Sequence, residues 1–392
     1  MIKIAANLKI ENLSKPIIGK LHHAHCSSIV HFEDGELVVV YYHAIKEANH
    51  NQQIFITRKL PGDSDWTEPK PIPKTSKRRF DGNPALWIAP DTGLLWLFYS
   101  VGFGWSVCWP KYRVSKDRGY TWSEPKSIYP FISRGIKNPP ILTSKGYYVL
   151  PCYVEFKHLR GVFFISKDQG KTWKQSNKVD LDDELVSSFE KKFRKLKGRQ
   201  LEQPTLIERS DGTLYALFRN HGQNLNNMLE SESYDGGFKW TKAKLSALPN
   251  PAAGFFMKKL INANDNLSKS KEVGIIYNHA PSKNNERKWR NPLSFAISLD
   301  EARTWKYRRN LLEWHSDEKN IPIDNIISQD YNTFEYPTFI DDNKGNIHAN
   351  WSFSYSKEIN GKKLRFMDIQ YTKFPIDWVK QKEFFNDAWE LI

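Results

Sequence analysis

Ser115-Lys116-Asp117-Arg118-Gly119-Tyr120-Thr121-Trp122 is the stretch that decides the fold, because the chain repeats it. Further copies are Ser166-Lys167-Asp168-Gln169-Gly170-Lys171-Thr172-Trp173, Ser233-Tyr234-Asp235-Gly236-Gly237-Phe238-Lys239-Trp240 and Ser298-Leu299-Asp300-Glu301-Ala302-Arg303-Thr304-Trp305. Asp117, Asp168, Asp235 and Asp300 are separated by 51, 67 and 65 residues. A degenerate earlier copy is Asp63-Ser64-Asp65-Trp66, whose tail Thr67-Glu68-Pro69 echoes Ser123-Glu124-Pro125. A short carboxylate accepts hydrogen bonds from the amides of its own turn, and glycine supplies a positive φ at no steric cost. The motif is therefore read as structural, with its Trp packing between neighbouring sheets. Ala302 stands in place of the turn glycine, so a strained or altered turn is expected there.

A second repeat runs out of phase with the first. Turn residues precede a β-rich run at Asp34–Tyr41, Asp91–Tyr99, Ser144–Leu150, Asp211–Phe218, Glu272–Tyr277 and Asn343–Trp351. Each run reads as the second strand of a hairpin. Hairpins and turn motifs recurring in step every 50 to 70 residues fit four-stranded antiparallel propeller blades, six in number. The expectation is a single all-β domain, a six-bladed β-propeller over residues 1–392. One segment breaks the pattern: Leu185, Phe189, Phe193 and Leu196 share a helical face within 182–197, which predicts a surface helix inserted between the third and fourth blades. A short helix is also expected between Pro375 and Ile392.

The formal net charge is +14 over 392 residues, and aromatics make up 14%. A basic surface favours anionic partners, yet no dense run of Lys and Arg marks a nucleic-acid tail, so no nucleic acid is expected. Cys26, Cys108 and Cys152 form no metal-ligand spacing and are odd in number, which argues against a disulfide framework and against zinc. No cofactor is expected. No apolar run is long enough for a signal peptide or a membrane span, so a cytoplasmic location is expected.

A third repeat carries the chemistry. A polar residue, usually followed by Pro, opens each blade at His25-Cys26-Ser27, Asn83-Pro84, Asn138-Pro139, Gln203-Pro204, Asn250-Pro251 and Tyr336-Pro337. The first strand of a propeller blade lines the central channel, and Pro is tolerated where a strand begins. These six positions are expected to encircle one end of the channel, with Glu202, Arg219, Asn220, His221, Arg290, Asn291 and Glu335 on the same face.

At these residues the chain resembles the sialidase-like proteins of the BNR, or Asp-box, class, in their broad divergent branch. The resemblance implies a carboxylate held by arginines, a tyrosine nucleophile activated by a glutamate, and an aspartate as acid/base. The segment Gln203–Arg219 is similar to the family segment that ends in its second arginine, which makes Arg219 a carboxylate ligand. Arg290 resembles the third arginine and Tyr336 the nucleophile. The family glutamate falls at Gln203, with Glu202 beside it; the first arginine falls at His25; the aspartate falls near Asn49, with Glu47 the closest carboxylate.

The resemblance implies an exo-glycosidase acting on an acidic glycan. Tyr336 is then the nucleophile, Glu335 or Glu202 its base, and Glu47 or Asp81 the acid/base. Arg219 and Arg290 grip the carboxylate, while His25, Asn83, Asn138, Gln203 and Asn250 bind the sugar. Two other readings stay open: a uronate lyase with His25 or His221 as base and Tyr336 as acid, and a propeller that binds glycan or protein without turnover.

Overall fold

The computed structural model describes residues 2–5, 8–14, 23–155, 159–193, 201–221, 225–261, 270–280, 290–314, 332–359 and 361–381. They form an all-β propeller with two helices, Asp183–Phe193 and Ile376–Lys380. Hydrogen bonding draws five sheets. The second is Phe80–Ile88, Leu95–Gly104, Val107–Ser115 and Lys126–Ser127, each antiparallel to the one before. The fourth repeats this plan with Leu201–Glu208, Leu214–Asn220, Asn227–Ser233 and Lys244–Pro249. The largest, of eight strands, contains two antiparallel groups that begin at His23–His31 and Thr333–Asp341. Among the described residues a single parallel pairing, Met367 with His23, joins those groups. The N-terminal segment closes the ring: Ile2–Ile4 pairs with Tyr307–Trp314 and Glu11–Asn12 with Lys362–Pro375.

Continuous apolar runs make the middle strands. All eight residues of Leu37–Ala44 are buried, because sheets pack against both faces. The core lies between sheets: Ala85, Trp96, Phe98 and Tyr112 of one meet Tyr148, Leu150 and Phe164 of the next. The motif tryptophans pack there as expected, Trp240 stacking on Phe163 at 3.8 Å.

Each turn motif ties itself. Asp117 Oδ1 accepts from the Thr121 amide at 2.8 Å and Oδ2 from its hydroxyl at 2.6 Å, while Ser115 Oγ accepts from the Gly119 amide at 2.7 Å. The Thr121 hydrogen bonds hold the Asp117 carboxyl at about 2. Ala302 does not reshape its turn: its amide still donates to Ser298 Oγ at 2.9 Å, and the residue takes φ +63°. In three motifs the residue after the Asp reaches back to the hairpin of the preceding sheet, as Arg118 does to Asp34 at 2.5 Å.

The helix Asp183–Phe193 begins at Asp182, whose Oδ1 accepts from the Glu184 amide at 2.9 Å. Leu185 and Val186 pack on the core between the third and fourth sheets. The Phe189, Phe193 and Leu196 part of the expected face lies outside the described side chains.

The inner strands carry the device that builds the site. Cys26, Asn83, Gln203, Ala252 and Tyr336 have φ between +47° and +54°. The strand registers shift at His25/Ser28, Gly82/Ala85, Glu202/Thr205 and Glu335/Thr338. These four shifts are β-bulges. In the first sheet the positive-φ residue is Cys26 rather than His25, and ahead of the fifth sheet's inner strand it is Ala252 rather than Asn250. In the third sheet the inner strand is interrupted between Arg134–Ile136 and Ile141–Leu142, and Lys137-Asn138 fill the gap.

Candidate functional site

The bulges undo the alternation that would send neighbouring residues to opposite faces. Glu202 and Gln203 both reach Arg219, which ends the strand Leu214–Asn220. Arg219 Nη1 donates to Gln203 Oε1 and to the Tyr336 hydroxyl oxygen, each at 2.9 Å. Gln203 Nε2 donates to the same oxygen at 2.9 Å. Arg219 Nε lies 3.5 Å from Glu202 Oε2, which His221 Nδ1 meets at 2.5 Å. Arg290 stands 5.8 Å from the Tyr336 ring centroid, so the two arginines and the tyrosine lie in one cluster.

Both arginines already meet carboxylates. Arg290 pairs with Glu335 through Nη1, and Glu335 also takes Thr333 Oγ1 at 2.7 Å and Arg365 Nη2 at 3.4 Å. Burial pushes the Glu202 carboxyl up, but Arg219 and the His221 hydrogen bond overcome it and hold it at about 2. Burial likewise opposes Arg290 and Arg365 at Glu335, which is also held at about 2. Glu335 is therefore an anchor for arginines, and no hydrogen bond joins it to Tyr336 among the described contacts.

Burial pushes the Tyr336 hydroxyl up to about 12, with Arg219 and Arg290 pulling against it. The His25 ring packs edge-on against Tyr336 at 4.4 Å. Burial lowers His25 well below its ordinary value, so it is a neutral imidazole, and its Nδ1 has no hydrogen-bond partner among the described residues. Glu47 accepts from the Tyr42 hydroxyl at 3.1 Å; burial raises its carboxyl, and it feels the charges of Glu335, Arg290 and Arg219. It fits an acid beside the cluster. Asp81 does not join it. Its contacts are the Thr75 amide at 2.8 Å and the charges of Lys74 and Arg113.

Two asparagines expected to bind sugar hold the backbone instead. Asn138 is fully buried, and its Nδ2 donates to Pro204 O at 2.9 Å, with Gln203 O and Phe255 O at 3.4 Å. Asn250 Nδ2 donates to Ala253 O at 2.9 Å while its Oδ1 accepts from the Ala253 amide. Asn83 occupies a bulge at φ +49°.

Sequence reasoning missed Lys137, Glu155 and Arg365. Lys137 is buried 5.9 Å from the Tyr336 ring centroid, and burial lowers its ammonium to about 8. Its position next to Asn138 in the polar repeat was the available signal. Burial, then the charge of Glu202, raises the Glu155 carboxyl to about 7. Nothing local in the sequence distinguishes Glu155 or Arg365.

A family model described as a BNR repeat-like domain matches residues 33–349. The chain belongs to that family. Solved structures share its fold at low identity. A Hadza microbial sialidase, Hz136, is 15% identical with a TM-score of 0.66, over 91% of this chain and 66% of that one. A protein of unknown function from Dyadobacter fermentans is 15% identical with a TM-score of 0.63, over 94% and 98%. The NanB sialidase from Streptococcus pneumoniae is 10% identical with a TM-score of 0.67, over 94% and 71%. The chain therefore spans about two thirds of the Hz136 sialidase. At these identities the likeness is one of fold. No curated protein sequence matches this chain.

Proposed function

We propose that this BNR-repeat propeller is a sialidase-like exo-glycosidase acting on a carboxylate-bearing glycan. We count six blades, taking the eight-stranded sheet as two blades that share one backbone pairing. The observation that carries the function is the junction at Tyr336, whose hydroxyl oxygen meets Arg219 and Gln203 at 2.9 Å each. In this reading Glu202 and Glu335 hold Arg219 and Arg290 in place, and the remaining guanidinium donors grip the substrate carboxylate. Tyr336 attacks the anomeric carbon. Glu47, kept protonated by burial, gives its proton to the departing oxygen. Glu202, which shares Arg219 with Tyr336, is the base candidate for the tyrosine proton. Water then attacks the anomeric carbon and gives a proton to Glu47, the bond from Tyr336 to the sugar breaks, and Glu202 returns the proton to the Tyr336 oxygen. The test is release of free sialic acid or uronate from aryl glycosides of those sugars, measured with wild type and Tyr336→Phe. Absence of release by wild type from every such substrate sinks the reading.

One observation favours a lyase as the second reading. A neutral His25 packed 4.4 Å from Tyr336 suits proton abstraction at C5 of a uronate, with Tyr336 protonating the leaving oxygen. That reaction leaves an unsaturated uronate, so new ultraviolet absorbance without hydrolysis separates the two. Ligand affinity that survives Tyr336→Phe, with no turnover by wild type, marks a binding propeller.

A further inference from the structure

Beside the Tyr336 cluster, the connections on the same face form a second surface. The hairpin turn at 103–107 links two strands of the second sheet, and the segment 129–133 leads into the third. The two are tied together: Ser133 Oγ donates to Ser106 O, Cys108 Sγ lies 3.5 Å from Arg134 O, and Trp109 Nε1 donates to Pro130 O at 3.1 Å. Large rings face outward from this frame. Phe103 is 59% and Phe131 65% exposed. The Arg79 guanidinium lies 5.2 Å from the Phe103 centroid and 4.8 Å from that of Trp109. Arg134 lies 5.1 Å from the Tyr129 ring, which packs on Phe131 at 5.3 Å.

Trp105 makes this surface continuous with the site. It packs against the Cys26, Tyr42 and Tyr336 group, and its ring lies 4.8 Å from that of Phe80. Charge points the same way. No Asp or Glu occurs within residues 70–80, 103–115 or 126–137, while Lys77, Arg78, Arg79, Lys111 and Arg134 do. Exposed rings stack on the flat faces of sugars, and guanidinium groups held over those rings pair with carboxylates. A wall that alternates the two fits a chain in which successive sugars carry acid groups.

We propose that the wall formed by Phe103, Trp109, Phe131, Arg79 and Arg134 is a subsite for the sugars adjoining the one at Tyr336, which makes the substrate an acidic polysaccharide rather than a single terminal acid on a neutral glycan. This rests on the pocket reading given above. The test is calorimetric titration of the full chain with galacturonic acid and its hexamer, and with sialic acid and its α2,8-linked hexamer. One hexamer is expected to bind at least about tenfold more tightly than its monomer. The Phe103→Ala/Phe131→Ala variant and Arg79→Ala are expected to bring hexamer affinity down toward that of the monomer. Both phenylalanines are exposed, so the double variant keeps its core. Equal affinities for hexamer and monomer, hexamer binding indifferent to these substitutions, no binding of either hexamer, or equally tight binding of a thymidine hexanucleotide each overturns the proposal. Arg219→Met separates the two readings. If only the pocket reading is wrong, hexamer binding survives Arg219→Met and still falls in the wall variants. If only the wall is wrong, Arg219→Met removes monomer and hexamer binding together.

Discussion

Gln203 donates a hydrogen bond to the Tyr336 hydroxyl oxygen at 2.9 Å, at a position from which a carboxylate could have accepted the tyrosine proton. An amide cannot take that proton, and the Tyr336 hydroxyl sits at about 12. Gln203→Glu puts a carboxylate in direct contact with the Tyr336 hydroxyl, to which Glu202 makes no hydrogen bond among the described contacts, and keeps Arg219 in place. Its hydrolysis of aryl sialosides or aryl uronides at neutral pH is expected to exceed that of wild type by about a hundredfold, the lower range for a positioned general base. Initial rates measure this directly; a rate equal to or below wild type counts against Tyr336 as nucleophile.

Arg219 compensates the buried Glu202 carboxylate as well as touching Tyr336. Removing one member of a buried pair costs about 3 kcal/mol because the other charge is left behind. Arg219→Met is therefore expected to lower unfolding free energy by about that amount at pH 7. The loss should shrink when Glu202 is also neutralised, in Arg219→Met/Glu202→Gln. Urea unfolding of the two variants and wild type gives the comparison, and equal losses in both variants contradict the pairing.

The propeller was legible in the sequence because its signals are local. Asp117 and Thr121 lie four residues apart and bond within one turn, so spacing alone exposes them. Arg219, Arg290 and Tyr336 were legible through resemblance, since each keeps its place relative to a hairpin or a turn motif. The bulges were not legible. Nothing about Cys26 or Ala252 announces φ +54°, and without that the phase of the first and fifth inner strands was misjudged. Asn138 and Asn250 have the composition of sugar ligands but spend their amides on carbonyls, one of them in the neighbouring sheet, which no local pattern reveals. Glu155 acquires its character from burial and then from Glu202, brought beside it by a different sheet.

Acid should destabilise the protein through Glu202 and Glu335. Both carboxyls are held at about 2, below their ordinary value of 4.5. A depressed folded value means that the unfolded chain takes up protons first as pH falls. Their contribution is complete above about 4.5 and is lost as pH falls toward 2. Glu155 has the opposite sign. Burial raises it from 4.5 to about 7, so the folded state resists its ionisation and stability is lost as pH rises from 4.5 through 7. Glu155→Gln is expected to melt at a higher temperature than wild type at pH 8 and at a similar temperature at pH 4. Thermal melts at the two pH values decide it; the same difference at both rules out ionisation as the cause.

Two turn motifs offer a controlled test of backbone strain. Ala302 and Gly170 hold the same place in their motifs, at φ +63° and +80°. A left-handed conformation costs a residue with a Cβ about 1 kcal/mol, so Ala302→Gly is expected to stabilise the fold by up to about that amount, reduced by the entropy glycine adds to the unfolded chain. Gly170→Ala meets a second obstacle. Its Cβ would lie 2.5 Å from the Trp96 ring, inside the packed core between the second and third sheets. Overpacking of that kind costs about 1–3 kcal/mol beyond the backbone strain. Urea midpoints should therefore move in opposite directions for the two substitutions, with the larger shift for Gly170→Ala. A stabilising Gly170→Ala is incompatible with the Trp96 contact, and a destabilising Ala302→Gly with strain at that turn.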